Sequence, residues 1–135
     1  MNMLIVLFLV TGMGWASATT VRNDGCLELA GPNVRTAEGI RDATQWQNPY
    51  LVVQPKGIEL ITGIPRRKQV VPLLGFERAL RRLPATVWPY GRIAAVQEAG
   101  VRSGLKSDDE LISQNRVEVE GMLAKLCVKV SHWPS

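Results

Sequence analysis

The sequence predicts a two-layer α/β sandwich with the order β-β-α-β-α-β, preceded by an irregular N-terminal arm. Short β-branched runs are bounded by turn residues, two segments have apolar residues at helical spacing, and the front of the chain is uncharged. Strands that alternate with helices favour parallel pairing, because right-handed crossovers return the chain to the same side of the sheet. Both helices are therefore expected on one sheet face.

The front of the chain has the pattern of an export signal. The first charged residue is Arg22, and Met3–Met13 is almost purely apolar. This stretch is shorter than the ~20 residues that a membrane-spanning helix needs, and Ala16-Ser17-Ala18 has the small-x-small pattern that signal peptidases accept. We expect residues 1–18 to be a signal peptide cleaved near Ala18, and the rest to be periplasmic or secreted. An uncleaved membrane anchor is the first alternative, and a buried helix the second.

The next segment, residues 19–49, is polar and rich in turn residues such as Gly31-Pro32-Asn33, which predicts the irregular arm. Residues 50–135 are expected to form the α/β domain. It begins with two strands, Tyr50–Val53 and Ile58–Ile61, joined by the turn Pro55-Lys56-Gly57.

The remaining elements follow from periodicity. Leucine and phenylalanine recur at helical spacing over Pro72–Leu83, which predicts the first helix. The apolar run Ile93–Val96 predicts a strand buried on both faces. A capping-box pattern, Ser107 to Glu110, predicts the start of a second helix, and Cys127–Ser131 predicts the closing strand.

The chain contains two cysteines, Cys26 and Cys127. An even number in an exported chain predicts a disulfide bond. Closing a loop of ~100 residues stabilises a fold by up to ~4–5 kcal/mol in the chain-entropy model. Two free thiols are the alternative.

The net charge of +4 is unevenly distributed, because Lys56–Arg92 holds eight basic and two acidic residues. A basic patch predicts an acidic protein partner or an anionic component of the cell envelope. Export argues against nucleic acid, a membrane contact is expected only if the leader stays uncleaved, and a homodimer is compatible with the pattern. A merely solvated helix face is the alternative. If the first helix packs beside the loop that precedes it, six residues could form the patch: Arg66, Arg67, Lys68, Arg78, Arg81 and Arg82.

The sequence predicts no catalytic residue, cofactor or metal site. His132 is the only histidine, and no Gly-x-Ser-x-Gly elbow occurs. The first hypothesis is therefore a non-enzymatic interaction or accessory module. The second is a small hydrolase that uses His132 with Asp108, Asp109 or a serine.

A third hypothesis rests on aromatic residues. Trp88, Tyr90 and Trp133 could stack on sugar rings, which would make the chain a cell-wall or glycan-binding module. Packing over the ends of the sheet is the commoner role for such side chains.

Three segments also carry a family resemblance: the strand-turn-strand Val52–Leu60, the helix ending at Leu83-Pro84 with the following Pro89-Tyr90-Gly91-Arg92, and the closing strand Lys125–Val130. In them the chain resembles the periplasmic domain of the ExbD/TolR family of biopolymer-transport proteins. The resemblance implies a small periplasmic α/β domain that binds partners and often dimerises. The family's membrane anchor carries a functional aspartate, whereas the apolar segment here has no acidic residue. Neither an ion-driven role nor a catalytic residue is therefore carried over.

Overall fold

The computed structural model describes residues 25–100 and 106–132. The predicted signal peptide and Trp133 lie outside these ranges. The strands are β1 (Tyr50–Gln54), β2 (Gly57–Thr62), β3 (Arg67–Val71), β4 (Ile93–Glu98) and β5 (Lys129–His132). The α-helices are α1 (Val34–Glu38), α2 (Phe76–Arg81) and α3 (Lys106–Lys125).

The strands form one mixed sheet in the order β3-β2-β1-β4-β5. β1 pairs with β4 and β4 with β5 in parallel, whereas the β1–β2 and β2–β3 pairs are antiparallel. The predicted α/β fold class is confirmed. The structure adds β3, where the sequence predicts a loop before the first helix, and begins α3 one residue before the predicted cap at Ser107.

The main core lies between the sheet and the two longer helices. Phe76 and Leu80 from α2 and Val119 and Leu123 from α3 are all at most 1% exposed, and they pack against alternate residues of the strands. Both helices therefore cover the same sheet face, which we call the helix face. The sheet side of this core consists of Leu51, Val53, Ile58, Leu60, Val71, Ala94 and Val96.

The arm covers part of the opposite sheet face, which we call the arm face. Ala37 and Trp46 from the arm pack with Tyr50, Ile61 and other buried residues of this face in a second, smaller core. The ring of Trp46 meets that of Tyr90 edge to face, with centroids 5.2 Å apart. The arm is thus an ordered layer over part of the arm face.

Asn48 fixes the end of the arm against the turn before β4. Its side chain is 2% exposed, and its amide nitrogen donates to the carbonyl oxygens of Gly91 (2.8 Å) and Ile93 (2.7 Å). Its amide oxygen accepts from the Tyr90 backbone N–H at 2.8 Å. The arm approaches so closely that a Cβ atom on Gly91 would lie 2.1 Å from the carbonyl oxygen of Gly31, so only glycine fits there.

The predicted disulfide is confirmed: Cys26 is bonded to Cys127, with a sequence separation of 101 and 5.0 Å between their Cα atoms. Beside it, the Leu27 backbone N–H donates to the carbonyl oxygen of Leu126. The guanidinium of Arg92 donates to the carbonyl oxygens of Leu29 and Cys127. The start of the described arm is thereby bound to the end of α3.

Candidate interaction surface

The six basic residues proposed from sequence lie on two neighbouring elements. Arg66 ends the β2–β3 connection, Arg67 and Lys68 begin β3, and the other three lie on or directly after α2. All six are exposed by side-chain area, but their contacts differ. These contacts distinguish the basic side chains that bind other parts of the chain from those that are available to a partner.

Arg66 is committed to internal contacts. Its guanidinium donates to the carbonyl oxygens of Ala43 and Trp46 and lies 5.9 Å from the centre of the Tyr50 ring. Burial raises the pKa of the Tyr50 hydroxyl, and the charge of Arg66 opposes that shift. Arg66 therefore fastens the arm to the sheet.

Arg81 is also engaged. It forms an ion pair with Glu77 one turn away, at 3.2 Å, and reaches the carbonyl oxygen of Gly25 at 3.4 Å. Its neighbours Arg78 and Arg82 are exposed at the outer side of α2. Arg67 and Lys68 are exposed on β3, at one edge of the sheet. The candidate surface is therefore centred on β3, with Arg78 and Arg82 adding positive charge from α2.

A cavity of about 800 Å³ adjoins this edge. One wall is the β2–β3 connection with Arg67 and Gln69, and the other is formed by Leu83, Pro84 and Val87 after α2. A second cavity of about 350 Å³ shares Gly63, Ile64 and Val87 with it. Ile64 is 74% exposed. An apolar recess thus lies beside the exposed basic side chains.

The residues that sequence reasoning missed are Ile64, Gln69 and Val70, because the segment was interpreted as a loop. A signal was present: Lys68-Gln69-Val70-Val71 is a short run that ends in β-branched residues and stands between Pro65 and Pro72. Three consecutive basic residues before it obscured the strand pattern. In the structure, Val70 lies on β3 and is 63% exposed.

His132 does not meet the acids named for it in the hydrolase hypothesis. Its Nε2 lies 3.1 Å from a carboxylate oxygen of Glu120. Asp108 and Asp109 are in the first turn of α3, about 17 Å from Glu120 along the helix axis at 1.5 Å per residue. His132 instead belongs to an ionic cluster at the β5 edge.

That cluster is centred on Arg116. Its guanidinium contacts Glu120 at 2.9 Å and Glu98 at 3.1 Å, and the bond to Glu120 raises the pKa of Arg116. Burial raises the pKa of Glu120, but hydrogen bonds from Arg116 and His132 outweigh burial and hold it below the usual value. The cluster links α3 to β4 and β5. Within residues 25–100 and 106–132, no group of three His, Cys, Asp or Glu side chains is placed to hold a metal ion.

Two of the three aromatic residues of the glycan hypothesis, Trp88 and Tyr90, are inside the fold, and Trp133 lies outside the described residues. Trp88 is 4% exposed in the main core, and Tyr90 is 7% exposed in the second core. Neither offers an exposed ring face, so this pair packs over the sheet, as such side chains commonly do. In the described part of the chain, no helix is long and apolar enough to span a bilayer.

Fold and surface together define a small disulfide-bonded α/β domain with a basic sheet edge. In comparisons with known proteins, the chain matches no family model, no curated protein and no solved structure.

Proposed function

We propose that this chain is exported to an oxidising compartment and acts there as a non-enzymatic interaction module, which binds a protein partner through the basic edge of its sheet. The observation that carries the proposal is the pair Arg67 and Lys68, exposed on an edge strand beside an apolar cavity. Charged edges with an adjacent recess supply both long-range attraction and a place to bury apolar side chains.

The disulfide supports the choice of compartment. Disulfides persist in secreted and periplasmic proteins and are rare in the reducing cytosol. The Cys26–Cys127 bond joins two segments that also pack through backbone hydrogen bonds, so it belongs to the folded structure. Export through the leader and cleavage near Ala18 are part of the proposal.

A protein partner fits the surface better than an anionic lipid or glycan. Arg67 and Lys68 line one side of a recess whose walls also include Ile64, Leu83 and Val87. A charged sugar or head group would leave these apolar walls in water, whereas a polypeptide offers charged and apolar side chains together.

Export is tested by the intact mass of the protein recovered from the exported fraction, with and without a reductant. We expect a chain that lacks residues 1–18 and gains two hydrogens when reduced. Full-length protein in the cytosol with both thiols free would contradict the proposed compartment.

The interaction is tested by photo-crosslinking in cells. A photoreactive residue at Val70 on β3 is compared with one at Val117 on α3, which is 72% exposed and serves as a matched control. We expect one identified protein to be captured from Val70 and lost when Arg67→Glu and Lys68→Glu are introduced. An identical set of captured proteins from both positions, unchanged by charge reversal, would refute the proposed surface.

A further inference from the structure

We propose that β3 accepts an extended, acidic segment of a partner protein as an added strand, with alternate side chains of that segment entering the cavity beside Leu83 and Val87. This inference rests on the proposed function and specifies its partner. Three observations carry it: the direction of the backbone groups of β3, the alternation of its side chains, and its charge.

The first observation concerns backbone hydrogen bonds. The Ala99 N–H donates to the carbonyl oxygen of Val53. The backbone N–H and C=O groups of the odd-numbered residues of β1 therefore point toward β4, and those of the even-numbered residues point toward β2. In antiparallel pairs, hydrogen-bonded and non-bonded positions alternate. The same alternation holds across the β1–β2 and β2–β3 pairs. The backbone N–H and C=O groups of Gln69 therefore point toward β2, and those of Lys68 and Val70 point away from it.

Lys68 and Val70 therefore present two N–H and two C=O groups, at a two-residue spacing, on the outer side of β3. Among the described residues no strand pairs with this side, since β3 is the end of the sheet. An extended segment that pairs there would gain main-chain hydrogen bonds, as in other cases of strand addition.

The second observation concerns side chains. Lys68 is paired with Ile61 and lies on the arm face, and Gln69 is paired with Leu60 and lies on the helix face. On an added strand, residues on the helix face would lie beside Arg67 and Gln69, which line the cavity together with Lys68. Residues of the added strand on the arm face would lie beside Lys68 and Val70. Because strand side chains alternate, every second partner residue is directed to the cavity side.

The third observation is charge, which distinguishes an acidic partner from a second copy of this chain. β3 carries Arg67 and Lys68 and no acid. Pairing two copies through this strand would place four positive charges along one short seam, and like charges across strands are destabilising. Lysine on edge strands is a known device against self-association. The same charges attract a segment that carries glutamate or aspartate.

The test uses fluorescent hexapeptides and the full exported chain in its disulfide-bonded form, with fluorescence anisotropy as the readout. The probe is Glu-Val-Glu-Val-Glu-Val. One control, Lys-Val-Lys-Val-Lys-Val, reverses the charge. The other, Glu-Pro-Glu-Pro-Glu-Pro, keeps the charge but cannot form a strand ladder, because proline lacks the N–H. We expect the probe to bind about tenfold or more tightly than either control, since it alone combines ladder bonds with charge pairs.

Two pairs of variants locate the binding. Val70→Pro removes an outward N–H without removing a bond to β2, a substitution that edge strands tolerate, whereas Val70→Thr keeps that N–H. Arg67→Glu with Lys68→Glu reverses the charge of this edge, and Lys129→Glu does so at an exposed lysine on the opposite edge strand, β5. We expect Val70→Pro and the Arg67/Lys68 reversal to weaken probe binding about tenfold, and Val70→Thr and Lys129→Glu to leave it unchanged. Circular dichroism verifies that each variant is folded.

Equal binding of the proline peptide, or full binding by folded Val70→Pro, would overturn strand addition. A concentration-dependent dimer that Val70→Pro abolishes would show that the occupant is a second copy, which also overturns the inference. If no hexapeptide binds while charge-dependent crosslinking from Val70 persists in cells, the inference fails and the proposed function stands. If neither hexapeptide binding nor charge-dependent crosslinking from Val70 is observed, both the inference and the proposed function are refuted.

Discussion

Cys127 combines a crosslink with a backbone conformation that disfavours cysteine. Its φ is +63°, in the left-handed region. The N–H groups of Cys127 and Val128 donate to the carbonyl oxygens of Ala124 and Leu123. This is the Schellman arrangement, in which glycine usually occupies the left-handed position. The disulfide thus places a strained residue at the end of α3.

The strain is measurable once the crosslink is removed. In a Cys26→Ala background, we expect Cys127→Gly to be about 1 kcal/mol more stable than Cys127→Ala, because glycine adopts a positive φ without a steric penalty. Urea unfolding followed by tryptophan fluorescence gives the difference. Equal stability of the two double variants would show that the left-handed conformation is not maintained without the bond.

Asn48 is a buried polar residue of the arm whose side chain makes three hydrogen bonds. We expect Asn48→Ala to cost about 3 kcal/mol or more, because three buried backbone groups lose their partner. Asn48→Asp keeps the bond from the Tyr90 N–H but directs a carboxylate oxygen at the carbonyls of Gly91 and Ile93.

The aspartate variant should therefore respond to pH. Burial among carbonyls raises a carboxyl pKa in the folded state, so protonation favours folding. We expect Asn48→Asp to gain stability relative to Asn48→Ala as the pH falls from 7 toward 4, measured by urea unfolding at each pH. A constant difference between the two variants would contradict the close approach of this side chain to the two carbonyls.

At this scale the sequence predicts some residues and not others. The cysteine pair follows from an even count behind a predicted export leader. The role of Asn48 does not, because its partners lie 42 to 45 residues away and no local pattern marks them. Arg66 was grouped with Arg67 and Lys68 because adjacent charges look alike in sequence, whereas only the fold directs Arg66 to the arm.

Among the elements, β3 is a strand that the sequence pattern does not predict. An edge strand that is exposed on four of its five residues has little apolar alternation to detect. Strands β1, β2 and β4 are predicted from apolar runs bounded by turn residues, and each has buried residues in the structure. The basic sequence that suggested a partner surface also concealed the strand that presents it.

α3 is attached to the sheet by an ion cluster as well as by its apolar face. Glu120 has a lowered pKa in the folded state, so its contribution to stability is present above the unfolded value, about 4.3, and is lost as the pH falls through the folded value. The side chain is 33% exposed. Solvent screening therefore limits the effect to about 0.5 kcal/mol.

We expect Glu120→Gln to be less stable than the parent by this amount near pH 6, and the difference to shrink below about pH 4. Urea unfolding between pH 3 and 7 measures it. Glu118→Gln, an exposed change on the same helix, is the control and should show a smaller effect. A difference that grows as the pH falls would contradict the cluster.

For the whole molecule, the sequence predicts the class of fold, the helix-bearing face and the crosslink, since these depend on periodicity and cysteine count. It does not predict that the arm forms a second core over the sheet. The apolar residues of the arm, such as Ala37, Ile40 and Trp46, are too few and too irregularly spaced to define a layer by themselves. They become a layer only when β1 and β4 provide the surface beneath them.

Reduction of the disulfide should therefore lower global stability. We expect a loss of up to about 4–5 kcal/mol from the chain-entropy term for a loop of this length. Unfolding in urea with and without a reductant measures the loss. A Cys26→Ser/Cys127→Ser variant is the control, because the reductant should not change its stability. A parent chain unaffected by reduction would show that hydrogen bonds and packing alone hold the arm in place.

The spacing of the two cysteines also determines when their bond can form. A ribosome delivers about 5–20 residues per second, and Cys127 follows Cys26 by 101 positions in the sequence. For roughly 5–20 s, a nascent chain therefore contains Cys26 but not yet Cys127. Closure is therefore a late event in biogenesis. Under the proposed export, an oxidase that acts on the emerging chain would meet Cys26 while it can pair only with thiols of other molecules.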